Sequence, residues 1–352
     1  MIPSLAERDA IGVHTLAVAE ALRQAGLASD IFYGDCTNEL MKVGRHVTTM
    51  GRAHKDRWIL YQSSIGSPVF DVFAARPEPK IVNYHNITPA ALLESWEPSV
   101  GYEVGLGREQ LRRIAGDCRL AIADSTFNET ELKEAGFTST AVAPLLIDMS
   151  VHAHADAPRL GRLRDAKADG GPDFLFVGKV SPHKAPHDLV KMLAVYRRLY
   201  HPRARLHLVG SPLGRRYGPA LAAFIADLGL SEAVSVVGSA PPEVLEAYYR
   251  AADVFVCASD HEGFCVPIVE AMAHDVPVVA YAAGAVPETV GEAGLLLASK
   301  EPLSFAAAVH RVVDDAELRR RFSVAARDRV ESFSLPRARR RFVELVTAAI
   351  AA

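Results

Sequence analysis

SDHEGFCVPIVEAMAHDVPVVA, residues 259–280, is the stretch that decides the fold. It follows the apolar run DVFVC (253–257) and closes in a second apolar run, VPVVA (276–280). An apolar run, a polar loop, a helix and another apolar run make one βαβ unit of a parallel sheet. Pro267 suits the first helical turn, where its missing N–H costs nothing. Gly263 lets the loop backbone approach a ligand closely, and the unpaired N–H groups at the helix start would bind a phosphate. Glu262 stands in the loop and Glu270 about one turn inside the helix, so the two carboxylates could hold hydroxyls of two different sugars. A plain βαβ turn with exposed glutamates accounts for either Glu alone, but not for the whole string.

The same alternation runs outward in both directions. Towards the C-terminus, strands are expected at 173–177, 204–209, 233–237, 253–257, 276–280 and 294–297, with closing helices at 302–313, 315–331 and 336–350. Towards the N-terminus, strands are expected at 29–33, 57–61, 80–84, 119–123 and 140–143, with helices at 13–25, 67–75, 88–95, 108–115 and 126–135. The stretch 150–172 breaks this rhythm with Ala, Asp, Gly and Pro. A chain of 352 residues also exceeds the ~250–300 at which single cores stop growing. The expected architecture is therefore α/β, with two Rossmann-like parallel-sheet domains facing across a cleft. The first spans 1–150, a connection spans 151–172, and the second spans 173–335. A last helix, 336–352, is expected to pack back toward the first domain. Only MIPSL is available for the first strand, which reads as truncated, so the natural N-terminus is expected to extend upstream of Met1.

Composition narrows the function. With 49% hydrophobic and 23% charged residues, extensive disorder is excluded. A net charge of -3 lacks the basic footprint of a nucleic-acid binder. Residues 1–150 carry 14 Lys+Arg against 19 Asp+Glu, which disfavours docking on anionic lipid and leaves at most peripheral membrane contact. No window approaches the ~18 apolar residues of a membrane span, and no signal peptide is legible, so a cytoplasmic protein is expected. Cys36, Cys118, Cys257 and Cys265 show no paired short spacing and are expected to be reduced thiols.

Three further motifs carry chemistry. In FVGKVSPHKAPHDL (176–189), Lys179 and Lys184 lie in the loop between a strand and a helix, placed to neutralise a diphosphate leaving group. In DAIGVHTLAVAEALRQAG (9–26), Gly12 is expected just before a helix, where it would permit backbone contact with phosphate or substrate, or serve only as a cap. In KIVNYHNITP (80–89), His85 follows directly on a strand, at the end where open α/β sheets bind ligands. It could meet a sugar hydroxyl, and it reads equally well as a satisfied structural histidine. His152 and His154 read as connection residues, since no carboxylate or cysteine cluster accompanies them at ligand spacing. There is no G-x-G-x-x-G after a strand, which argues against a nicotinamide enzyme, and no Asp-x-Asp to hold a divalent metal on a nucleotide diphosphate. No metal and no cofactor are expected.

At this point the chain resembles the family 4 glycosyltransferases of the GT-B fold, over essentially its whole length. Their hallmark is two glutamates seven residues apart in a context like E-G-F-G-x-P-x-x-E-A-M-A, and here it reads EGFCVPIVEAMA, Glu262 to Ala273. The resemblance implies that Glu270 binds the ribose of the nucleotide and that Glu262 faces the donor sugar. Backbone N–H groups around Gly263, Phe264 and Cys265 would lie near sugar and phosphate. Lys179 and Lys184 would clamp the diphosphate, and Gly12 would belong to the N-terminal loop beside the phosphates and acceptor. His85 would be placed by the donor sugar, and Ser239 where backbone holds the base. Three positions depart from the family's pattern. Lys179 stands for the commoner Arg, Cys265 for a small residue, usually Gly, and one N-terminal loop glycine for two or three.

What the resemblance implies is a retaining, metal-independent hexosyl transfer from a nucleoside diphosphate sugar to a hydroxyl on a glycan, glycolipid or small molecule. The alternatives are a GT-B sugar-nucleotide epimerase and a non-catalytic sugar-nucleotide-binding protein.

Overall fold

The computed structural model describes residues 1–6, 9–54, 56–148, 154–168 and 170–352. His152, read above as a connection residue, lies outside them. The chain divides into two compact units. One holds Met1–Glu94, Pro98–Asp148 and Phe333–Ala352; the other holds Ser95–Glu97 and Met149–Ser332.

The first unit begins with β1 (Ile2–Leu5), α1 (Ala10–Gln24), β2 (Phe32–Cys36), β3 (Arg45–His46) and β4 (Ile59–Ser63). It continues through α2 (Pro68–Ala75), β5 (Lys80–Tyr84), α3 (Pro98–Ile114), β6 (Cys118–Ala123), α4 (Thr126–Glu134) and β7 (Thr140–Val142). The parallel sets β1-β2-β3 and β4-β5-β6-β7 meet where the Gln62 N–H donates to the Met1 carbonyl, 2.9 Å, beside β1. The strand order is thus 3-2-1-4-5-6-7, with the turning point between β1 and β4. Within MIPSL, Ile2–Leu5 forms a strand of four residues, with Ile2 and Leu5 buried. Serines start two helices: Ser67 caps α2 and Ser125 caps α4 with their side-chain oxygens.

Several sequence expectations shift here, and the strand expected at 57–61 forms two residues later, as β4. The strand expected at 29–33 forms three residues later, as β2. The helix expected at 88–95 is a single 3-10 turn, Ala90–Leu92, because Pro98 starts a separate helix that absorbs the one expected at 108–115. Gly12 does not precede α1 but lies in its first turn, since Asp9 is the cap and accepts from the Gly12 N–H at 3.2 Å.

The second unit opens with α5 (Ala157–Lys167), inside the stretch expected as a connection; Leu163 of this helix is buried in the unit's core. Then follow β8 (Asp173–Val177), α6 (Pro186–Leu199), β9 (Arg205–Val209), α7 (Tyr217–Asp227), β10 (Val234–Gly238), α8 (Pro242–Ala251) and β11 (Val254–Cys257). The unit ends with α9 (Val266–Ala273), β12 (Val278–Tyr281), α10 (Val286–Val290), β13 (Gly294–Leu297), α11 (Pro302–Asp314) and α12 (Ala316–Ser332). Its sheet is all parallel, in the order β10-β9-β8-β11-β12-β13. Such strands are covered on both faces and read as unbroken apolar runs, as DFLFV and VFVC do. One face packs on α6 and α11 through Leu189, Leu193, Phe305 and Val309, the other on α8 and α9 through Tyr249, Ile268 and Met272.

A final helix, α13 (Leu335–Ala351), belongs to the first unit. It buries Ala338, Phe342 and Val346 against Val18, Ala21 and Leu22 of α1.

Candidate functional site

In the second unit the chain lays down β8, β9 and β10 to one side, then returns to place β11 on the other side of β8. The crevice at the carboxyl ends of β8 and β11 is the switch point where open α/β sheets take ligands. The two strongest motifs of the sequence leave from those two ends.

From β8, the backbone passes Gly178, at φ 149°, to Lys179, which is exposed and forms no ion pair among the described residues. A 3-10 turn, Pro182–Lys184, then carries Lys184 to the start of α6. From β11, the loop brings Glu262 to the same place. The Lys184 ammonium donates to Glu262 Oε2 at 2.5 Å, and the Ser259 hydroxyl donates to Oε1 at 2.7 Å. The Lys184 side chain is 21% exposed and that of Glu262 only 6%. Burial works against the ammonium, but the Glu262 carboxylate outweighs it and holds Lys184 above the ordinary lysine range. His183, between the two lysines, goes the other way. Burial first, then Lys184, His261 and Lys179, push it down to about 2, so it stays neutral beside two cations.

The Glu262 loop is fixed from behind. The Ala285 N–H donates to the Glu262 carbonyl at 2.9 Å. Gly284 sits at φ +56°, where a Cβ would stand 2.4 Å from that same oxygen, so the turn before α10 needs a residue without a side chain. Thr289 donates its hydroxyl to the Phe264 carbonyl at 2.5 Å. Gly263 is half-buried between them, and Phe264 is buried. Cys265 is the N-cap of α9 with φ 68°, a left-handed conformation. Inside α9, Glu270 accepts from the Tyr249 hydroxyl at 2.7 Å; burial and then Glu270 raise that phenol well above its usual range. Ser239 is exposed, one residue beyond β10.

Sequence reasoning missed Ser259, Tyr249, Gly284 and Thr289, which touch the motif residues from other elements. Ser259 alone left a signal, three positions before Glu262 in the same loop. It also missed Cys257, whose sulfur lies with those of Cys265 and a Glu262 oxygen in a group with all donor atoms within 4.8 Å of one another.

In the first unit, His85 follows β5 as expected, but its side chain is 1% exposed. Nδ1 bonds Asp124 at 2.9 Å and Nε2 bonds Gln62 at 2.5 Å, so both ring nitrogens are taken. Its neighbour His14 bonds Asn83 at 2.7 Å and accepts from the Leu146 N–H at 2.8 Å. Burial, with His85 beside it, lowers His14 to about 3. Gly12 presents no free N–H, since Asp9 caps it; a Cβ there would stand 2.2 Å from the Ala6 carbonyl. The glycine is needed because the preceding backbone closes on the helix.

Two parallel sheets with ligand-facing turning points define the class, and solved structures agree. Anabaena Alr3699/HepE, solved in complex with UDP and glucose, matches with a TM-score of 0.75 at 19% identity over 99% of both chains. WaaG, a glycosyltransferase involved in lipopolysaccharide biosynthesis, matches at 0.72 and 10% identity over 99% of this chain and 100% of that one. The fold is GT-B. Residues 163–329 match the profile of the glycosyl transferases group 1. The D-inositol 3-phosphate glycosyltransferase of Frankia alni is 33% identical over 237 residues, 65% of this chain and 58% of that protein. That of Thermomonospora curvata is 32% identical over 255 residues, 67% and 58% respectively. The chain thus aligns with less than two thirds of the length of these curated relatives.

Proposed function

We propose that the protein transfers a hexosyl group from a nucleoside diphosphate sugar to a hydroxyl acceptor, with retention of configuration and without a metal. One observation carries this reading: the Lys179–Lys184 loop and the Glu262–Glu270 loop converge at the turning point of the second sheet. Cations there neutralise the charge that develops on a departing diphosphate, and carboxylates orient hydroxyls. Glu270 takes the ribose and Glu262 the donor sugar, with the Gly263, Phe264 and Cys265 backbone beside them. Lys179 meets the diphosphate as an exposed cation, and Lys184 meets it while tethered to Glu262. Ser239 lies by the base, and Gly12 shapes the first unit's loop by its missing side chain. His85 takes part by exchanging its Gln62 contact for a hydroxyl. The departing diphosphate assists deprotonation of the acceptor on the front face.

The likeness to a protein solved with UDP and glucose supports uridine diphosphate hexoses as the first donors to assay. The curated relatives support phosphorylated cyclitols as the first acceptors. The test is a donor panel read three ways. A transferase releases nucleoside diphosphate in step with acceptor, an epimerase isomerises the donor alone, and a binding protein does neither. Acceptor-independent isomerisation would overturn the reading.

A further inference from the structure

β11 ends at Cys257, and eight residues later Cys265 caps α9, so strand end and helix start bring two thiols together. The two sulfurs and one Glu262 oxygen all lie within 4.8 Å of one another. At rest they form one row. The Cys257 and Cys265 sulfurs lie side by side, Cys257 donates to the Ser259 hydroxyl at 3.4 Å, and Ser259 donates to Glu262. Cys265 holds its side chain in this row from a left-handed backbone that favours glycine. Cys257 and Glu262 are buried; Cys265 is half-buried as a residue, and at the cluster all three are buried together.

The geometry points to a binding site for a thiophilic divalent cation of the zinc class, made by Cys257, Cys265 and Glu262, whose filling takes Glu262 from Lys184. Two sulfurs and one carboxylate suit such an ion, whereas magnesium and calcium require oxygen ligands throughout. Sulfurs at ~2.3 Å from a tetrahedral zinc stand roughly 3.8 Å apart, so a contraction of about 1 Å at most closes the set. Three protein ligands leave a fourth position for water. On binding, each thiol loses its proton to solvent and forms one sulfur–metal bond, so two protons leave per cation. The Glu262 carboxylate exchanges an ammonium for the ion. The site itself is independent of the transferase reading; only its inhibitory effect on turnover rests on that reading.

Cobalt(II) is the probe, added to the reduced, metal-free full chain. The expected result is thiolate-to-cobalt charge-transfer absorption, abolished by competing zinc, with two protons released per ion. Cys257→Ser and Cys265→Gly should each lose that absorption. The second suits the left-handed backbone and guards against a misfolded first variant, and circular dichroism checks both. Zinc should inhibit the wild type, EDTA should restore it, and Cys257→Ser should keep its turnover in zinc. Absence of the absorption, or its persistence in both variants, overturns the site. Equal inhibition of Cys257→Ser overturns the link to Glu262. Absorption without turnover on any donor leaves the site standing and instead overturns the transferase reading.

Discussion

Lys184 and Glu262 are 78 positions apart in the chain and meet at 2.5 Å. Each is delivered by the loop that leaves one of two neighbouring parallel strands, β8 and β11. The pair joins the two motifs at rest, so a mutation at either position also strands a charge at the other.

Lys184→Ala should lower kcat by roughly a hundred- to a thousandfold, as loss of one preorganised donor costs about 2.7–4 kcal/mol. Lys179→Ala, which removes an exposed cation with no tether among the described residues, should cost less and act mainly on KM. Steady-state kinetics of both variants check the order, and near-wild-type turnover of Lys184→Ala would remove it from the clamp.

The glutamates should separate in calorimetric titration. Glu270→Ala is expected to weaken binding of the free nucleoside diphosphate, because it removes the ribose contact. Glu262→Gln should leave that affinity nearly intact and lower turnover. Equal loss of affinity in both variants would refute the division.

Turnover should survive excess EDTA, since lysines supply the positive charge. Activity lost to chelator and restored by magnesium or manganese would show that a metal does this work.

Gly12→Ala should destabilise the protein by about 1–3 kcal/mol through overpacking, because the new Cβ meets the Ala6 carbonyl. A urea midpoint unchanged from wild type would mean that the preceding backbone yields freely.

Stability should fall as pH drops below 6.5. His14 is lowered to about 3 and His183 to about 2, so both are neutral when folded and protonated when unfolded. Their contribution is complete above 6.5 and is lost as pH falls towards 3, by up to about 1.4 kcal/mol per pH unit for each. Denaturation of His14→Asn across this range should show a flatter slope than wild type. An equal slope would show that His14 is not the group that titrates.

Much of this was legible locally. The runs at 80–84 and 173–177 are strands at those bounds because buried parallel strands read as largely apolar segments. The partly buried edge strand at 294–297 was legible from its short apolar run. Glu262, Glu270, Lys179 and Lys184 could be placed on loop or helix by the same rhythm. The first turn of α1 was not, since a cap is decided by the Asp9 side chain rather than by apolar spacing. His85 shows the harder limit. Its position after a strand was readable, but Asp124 and Gln62, which occupy its nitrogens, lie 39 and 23 positions away. The thiol pair was hidden likewise, since a spacing of eight becomes a contact only when a strand end and a helix start fold onto each other.

α13 sets an order of events during synthesis. Phe342, fully buried, stacks edge-on against His14 at 5.8 Å, and Ala338 and Val346 fill the same core as α1. The opening segment of the chain therefore waits for the last helix before its own interior is sealed. The second unit, whose main segment ends at Ser332, has all its parts earlier. On the ribosome, the half that emerges first is the half that finishes last. Until then it holds an apolar surface on α1 that chaperones can grip and proteases can find.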